Sequence, residues 1–141
     1  MYDFIERDDE DWKVSEEYVE SLENNLGLRF PEVLRNYYIL HNGADTMECS
    51  FEKNNLDFCV VLILPLKQGK VSLEKMIMYT KDNPAIPDSF IPIALDEDED
   101  YYYWDSATGK VVYLSVSNVM HPILISENIE EFFEILDKSC E

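Results

Sequence analysis

Glycine and histidine, which several common catalytic sites require, are scarce in this sequence. Its 141 residues include only four glycines and two histidines. There is no phosphate-cradling glycine loop, and neither His41 nor His121 lies in a metalloprotease or nucleophile motif. We therefore predict a protein that binds a partner rather than an enzyme, with no cofactor and no metal ion.

Cysteines and long apolar runs are also scarce. Cys49, Cys59 and Cys140 are odd in number and form no C-x-x-C pair, which argues against a secreted disulfide framework and a zinc site. The longest apolar run, 58–66, is far shorter than the roughly 20 residues that span a bilayer. The first residues lack a basic start followed by an apolar stretch. We expect a cytoplasmic protein without a membrane partner.

Basic residues are outnumbered, with eleven Lys and Arg against thirty Asp and Glu and a formal charge of −19. Such a field repels phosphate backbones, so no direct nucleic-acid binding is expected, and it attracts basic proteins. Hydrophobic residues make up 46% of the chain, which predicts a folded core beneath the charge. The length fits one domain over 1–141, with 1–13 as a solvated acidic arm.

Capping residues and apolar spacing predict four helices. Their N-terminal positions are assigned to Ser15, Pro31, Ser72 and Ser126, and their ends to Leu26-Gly27, Asn42-Gly43, Asn83-Pro84 and the turn containing Lys138. The last helix has the clearest apolar face, formed by Ile129, Phe132, Phe133 and Leu136.

Strands are predicted between and after these helices. The apolar run Cys59 to Leu64 is typical of a central strand covered on both faces. Later strands are predicted at 90–95, 101–104 and 111–116, with a turn through 105–109. Helices and strands do not alternate, so we predict an α+β fold with helices packed on an antiparallel or mixed sheet.

The segment from Val19 to Gly43, which contains Leu26-Gly27, Pro31 and Asn42-Gly43, resembles the opening signature of the SUKH superfamily (Smi/Knr type). Segments 90–96, 109–113 and 129–136 are similar to later elements of that family, in the same order. The resemblance implies a non-catalytic α+β domain. In bacteria such domains are used mainly as immunity proteins that bind polymorphic toxins, often nucleases, and eukaryotic relatives serve in cell-wall regulation.

One segment departs from the family pattern. Many members have glycine after the strand that corresponds to 90–96, whereas this chain continues with acidic residues to Asp100. A wider acidic loop is therefore expected there in place of a tight turn. Asp96, Asp98 and Asp100 also resemble half of a calcium loop, but Tyr101 and Ala107 replace its required glycine and glutamate.

The same segment is the first candidate for a partner-binding surface. Aromatic anchors rimmed by charge are favoured at protein interfaces. Strand alternation places Tyr101 and Tyr103 on one face and Tyr102 and Trp104 on the other, so one pair is core and the second is either core or exposed. The predicted contact residues are Asp96, Glu97, Asp98, Glu99, Asp100, Tyr102 and Trp104.

Three functions are compatible with these features. The first is an immunity protein that neutralises a basic, nuclease-like toxin by occlusion, with carboxylates pairing the cations that would otherwise hold phosphates. The second is a regulatory adaptor that binds a host protein or peptide through the same fold. The third is an unrecognised hydrolase using two carboxylates, which requires a concave pocket and a raised carboxylate pKa. Oligomeric state is not indicated by the sequence.

Overall fold

The computed structural model describes residues 5–7, 13–67, 71–115 and 121–139. Its helices are α1 (Glu16–Leu26), α2 (Glu32–His41), α3 (Leu73–Asp82) and α4 (Ile129–Ser139). Its strands are β1 (Ile5–Arg7), β2 (Ala44–Lys53), β3 (Leu56–Ile63), β4 (Phe90–Leu95), β5 (Tyr101–Asp105), β6 (Val111–Leu114) and β7 (Ile123–Ser126). The predicted α+β class is confirmed.

The strands form one antiparallel sheet in which spatial order follows chain order from β1 to β7. Helix α3 is inserted between β3 and β4. The sheet curls, since Lys53 at the end of β2 reaches β7 and donates a hydrogen bond of 2.5 Å to the carbonyl oxygen of Ile125. Strands far apart in the sheet order therefore approach one another.

Most of the predicted helix ends are confirmed. The Ser15 hydroxyl accepts from the backbone of Tyr18, and Gly27 ends α1 in a left-handed conformation. Ser72 caps α3 in the same way as Ser15 caps α1. Pro31 precedes α2 rather than occupying its first position. Such one-residue shifts are common at helix ends.

The predicted cap of α4 is wrong. Ser126 belongs to β7 and is buried, and its hydroxyl donates to the carbonyl oxygen of Asn128. The Asn128 side chain accepts from the backbone N–H of Glu131 at 2.8 Å, which satisfies a free donor at the helix start. The cap is therefore Asn128, two residues later than the sequence analysis placed it.

The main core lies between one sheet face and the helices α1, α2 and α4, and it also includes Leu73 and Ile77 of α3. All four apolar positions predicted for α4 are buried there. A smaller cluster of Phe90, Tyr103 and Leu114 lies apart from this core. Helix α3 packs on β4 and β5 nearby, where the Tyr101 hydroxyl donates to Met76 Sδ at 2.9 Å. Strand β4 is buried along its whole length.

A buried carboxylate joins α1 to α2. Glu23 is 4% exposed and accepts from the backbone N–H of Phe30 at 2.8 Å and from Arg35 Nε at 3.1 Å. Arg35 also contacts the exposed carboxylates of Glu16 and Glu20. Hydrogen bonds from both sides compensate for the burial of the Glu23 charge and fix the angle between the two helices.

The Asn42-Gly43 corner is fixed by close contact with the segment after β3. The Asn42 side chain accepts from the backbone N–H of Leu66 at 2.8 Å. Gly43 has a φ of 85°, and a Cβ added there would lie 2.4 Å from the backbone nitrogen of Pro65. The backbone contact leaves no room for a side chain, so glycine is required here.

Replacing Gly43 with alanine is expected to lower the free energy of unfolding by about 2–4 kcal/mol, because the variant combines positive-φ strain with overlap against backbone atoms. Gly27→Ala is the matched control, since Gly27 also has a positive φ but a Cβ there meets nothing within 4 Å. The control should lose only about 1–2 kcal/mol. Equal losses in urea denaturation would contradict the close contact.

Because two tyrosines are buried, we expect the protein to lose stability at alkaline pH. Burial raises the pKa of Tyr38 and of Tyr102 above the ordinary value of 10.0, and the carboxylate of Asp96 raises that of Tyr102 further. Above pH 10 the unfolded chain releases these protons while the folded chain retains them, so the free energy of unfolding should fall with rising pH. Tyrosinate absorbance should develop for these residues only with unfolding.

Candidate functional site

The acidic segment between β4 and β5 forms a compact turn, so the expected wider loop is wrong. The backbone N–H of Asp96 donates to the carbonyl of Asp100 at 3.0 Å, and that of Glu99 donates to the carbonyl of Asp96. Glu99 adopts a φ of 64°, in the left-handed region that favours glycine. The turn keeps its shape although no glycine is present.

Asp96 organises this turn from within. It is 7% exposed, and its Oδ1 accepts from the backbone N–H groups of Asp98 at 2.9 Å and Asp100 at 3.0 Å. Its Oδ2 lies 2.6 Å from the hydroxyl of Tyr113, which is also 3.2 Å from Asp100 Oδ2. Asp96 and Asp100 therefore shape the turn, while Glu97, Asp98 and Glu99 are exposed.

The two aromatic residues predicted as contacts are in the core. Tyr102 is 0% and Trp104 4% exposed, and both belong to the main apolar cluster. The Tyr102 hydroxyl donates to the carbonyl of Cys59 at 2.7 Å, which ties β5 to β3. Neither side chain can serve as an exposed anchor, because strand alternation turns both toward the helices. The three exposed carboxylates of the turn remain candidates.

An open groove lies beside this turn. Strand β3 pairs with β4 only at Leu62–Leu95 and Ile63–Ala94, so the earlier part of β3 continues past the end of β4 with β2 alone. The space between the β2–β3 hairpin and the acidic turn is a groove of about 600 Å³. Its lining includes the aromatic residues Phe51, Phe58 and Tyr113.

Five carboxylates also line this groove: Glu52, Asp57, Asp96, Glu97 and Asp98. No lysine or arginine is among its described lining residues. Phe51 and Phe58 stack with ring centroids 5.5 Å apart, and Phe58 meets Tyr113 edge-on at 5.3 Å. We call this feature the acidic groove. The sequence analysis identified only its Asp96–Asp98 side.

The cysteines near the groove differ in state. Cys59 lines the groove and is free, whereas Cys49 is disulfide-bonded. The odd cysteine count, which argued against a secreted disulfide framework, therefore does not exclude a disulfide at Cys49, and cysteine content does not favour a reducing compartment. Burial raises the pKa of the Cys59 thiol, and the carboxylates of Glu97, Asp96 and Asp98 raise it further. Burial is the larger of these two causes.

Other features limit the chemistry of the site. Within the described ranges, no group of three or more His, Cys, Asp or Glu residues is arranged to hold a metal ion. Nor does any helix in the described part of the chain have the length and apolarity needed to cross a membrane. His41 packs its ring 5.5 Å from that of Tyr37, and His121 lies outside the groove lining.

The curled antiparallel sheet, the helices packed on it and the acidic turn define a small α+β domain with an open acidic surface. The model of the SMI1 / KNR4 family (SUKH-1) matches residues 13–135, and the chain belongs to this family. The resemblance found in the sequence is thereby confirmed. No curated protein matches the chain.

Tyr113→Phe tests the organisation of the turn. The variant keeps the ring but removes the hydroxyl shared by Asp96 and Asp100, leaving two crowded carboxylates with one donor fewer. We expect the free energy of unfolding at neutral pH to fall by about 1–3 kcal/mol. Urea denaturation at neutral pH measures this free energy. An unchanged midpoint at neutral pH would show that the hydroxyl does not stabilise the turn.

Proposed function

We propose that the protein is an immunity protein that binds a basic, nuclease-like polymorphic toxin and neutralises it by occlusion. Membership of the SUKH-1 family is consistent with an immunity role. The observation that carries the proposal is the acidic groove with its adjoining turn, where five lining carboxylates have no lysine or arginine among their described neighbours in the lining. Such a surface is complementary to the cations of a nuclease active site.

Occlusion requires no catalysis by this chain. A nuclease holds phosphates with lysine and arginine side chains. Carboxylates placed against those side chains would occupy the sites that phosphate oxygens otherwise take. Glu97, Asp98 and Glu99 are exposed on the turn and would contact these cations, while Asp96 and Asp100 are positioning residues. The inhibitor must meet the toxin where nucleic acid is present, so we place the activity in the cytoplasm.

The net charge affects the rate of binding. A charge of −19 raises the local concentration of a basic partner, and exposed charges are screened beyond about 8 Å at physiological ionic strength. Association is therefore expected to be fast at low salt and to slow by about tenfold or more at high salt. Aromatic and apolar contacts at the groove would limit dissociation.

The test is capture of a basic protein from the source organism at low salt, followed by inhibition of its nuclease activity. The triple variant Glu97→Gln, Asp98→Asn, Glu99→Gln should bind that protein about tenfold or more weakly. Its control, Asp82→Asn, Asp88→Asn, Glu134→Gln, removes exposed carboxylates elsewhere. Each triple variant changes the formal charge from −19 by three, to −16.

The outcomes separate the competing functions. Inhibition by wild type and the control but not by the turn variant supports immunity through this surface. Capture of a partner with no toxic activity would favour the regulatory adaptor. Nuclease inhibition that is equally weakened in both variants would show that net charge, rather than the turn, determines binding.

A further inference from the structure

We propose that the acidic groove receives an arginine side chain of the basic partner, stacked on the aromatic floor and hydrogen-bonded to the carboxylate rim. The proposal rests on the proposed function for the origin of that arginine. It goes further by identifying the chemical group that is recognised and a surface, the β2–β3 hairpin, that lies outside the acidic turn.

The groove has two walls that come from different parts of the chain. One wall is the β2–β3 hairpin with Glu52 and Asp57, which are exposed and lie opposite each other on the two strands. The other is the turn with Glu97 and Asp98. Because the walls carry the same charge, a cation between them would interact favourably with both sides at once.

The nearest lysine of β2 does not supply that cation. Lys53 follows Glu52 in the chain, but its ammonium donates to the carbonyl of Ile125, on the far strand of the curled sheet. Burial is the main cause of the raised pKa of the neighbouring Cys59, and the carboxylates of Glu97, Asp96 and Asp98 add to it. The described lining thus supplies no cation of its own, and we assign that role to a partner.

The aromatic floor distinguishes arginine from lysine. Phe51 and Tyr113 are half-buried, so part of each ring remains accessible, and the Phe51 and Phe58 rings stack with an interplanar angle of 25°. A guanidinium is planar, stacks on aromatic faces and presents several donors in one plane. An ammonium offers neither the stacking surface nor the fork of donors. A groove of about 600 Å³ has room for an arginine with its flanking backbone.

The probe is a short capped peptide with two arginines among glycines and serines, compared with its lysine and citrulline counterparts. Each is titrated against the full-length ¹⁵N-labelled chain. We expect the arginine peptide to shift the amides of Phe51, Phe58 and Asp98 and to slow thiol modification of Cys59, read from the Cys59-containing peptide by mass spectrometry. The lysine peptide should bind about fivefold more weakly, and the citrulline peptide should not bind.

Two variants test the floor and the rim separately. Phe51→Leu keeps an apolar side chain but removes the ring, so it should abolish the preference for arginine over lysine. Asp57→Asn with Asp98→Asn removes one carboxylate from each wall and should weaken the arginine peptide more than the control Asp82→Asn with Asp88→Asn. Equal binding of the arginine and lysine peptides, or equal weakening by groove and control variants, would overturn the proposal.

Failure of this inference is distinguishable from failure of the proposed function. A toxin that wild type and both groove variants inhibit equally would leave the immunity function standing and remove the arginine site. Groove-specific binding of the arginine peptide, without any toxin that the protein inhibits, would leave the site standing and remove the immunity function.

Discussion

The surface of this protein depends on one buried carboxylate, that of Asp96. In a chain with a formal charge of −19, most carboxylates can only be tolerated in water, and burying one requires donors on both oxygens. Asp96 obtains them from two backbone N–H groups of its own turn and from the hydroxyl of Tyr113. The same bonds that satisfy the charge hold the turn in shape and position one wall of the acidic groove.

Tyr113 connects this turn to the rest of the fold. Its ring contacts Phe58 of β3 and Tyr102 of β5, while its hydroxyl reaches Asp96. Tyr102 in turn donates to the carbonyl of Cys59. Aromatic packing and hydrogen bonds therefore join β3, β5 and β6 at the place where β3 and β4 cease to pair. The groove is an opening between strands whose edges are held at fixed positions.

Local patterns in the sequence predicted much of the fold, because the helix ends and the apolar faces are encoded within a few residues. Gly27 and the four buried positions of α4 are examples. Strand β3 was predicted from its apolar run, but β2 and therefore the β2–β3 hairpin were missed, although residues 47–52 alternate apolar and polar side chains. A signal was available in Asn54-Asn55. Both residues adopt positive φ angles at the hairpin turn, and asparagine tolerates such angles. Strand β1 was missed because three residues within an acidic segment give no periodic pattern.

The candidate site was predicted only on one side, for a physical reason. A run of carboxylates is visible in the sequence, but which of them point inward depends on donors that are distant in the chain, such as Tyr113. Tyr102 and Trp104 were assigned to the surface because alternation alone does not tell which face of a strand the helices cover. The rings that do line the groove, Phe51 and Phe58, lie some forty positions earlier in the printed sequence, on a hairpin that the pairing of β3 with β4 brings beside the turn.

On the proposed function, the division between rim and floor would let an acidic protein discriminate among basic partners. Long-range attraction by the net charge increases the encounter rate with any cationic protein and falls with salt, so it carries little selectivity. Stacking on an aromatic ring acts only at contact and depends on the shape of the cation. A groove that combines both, as we propose for the one lined by Phe51 and Tyr113, would confine selectivity to the few positions where a planar cation reaches the rings.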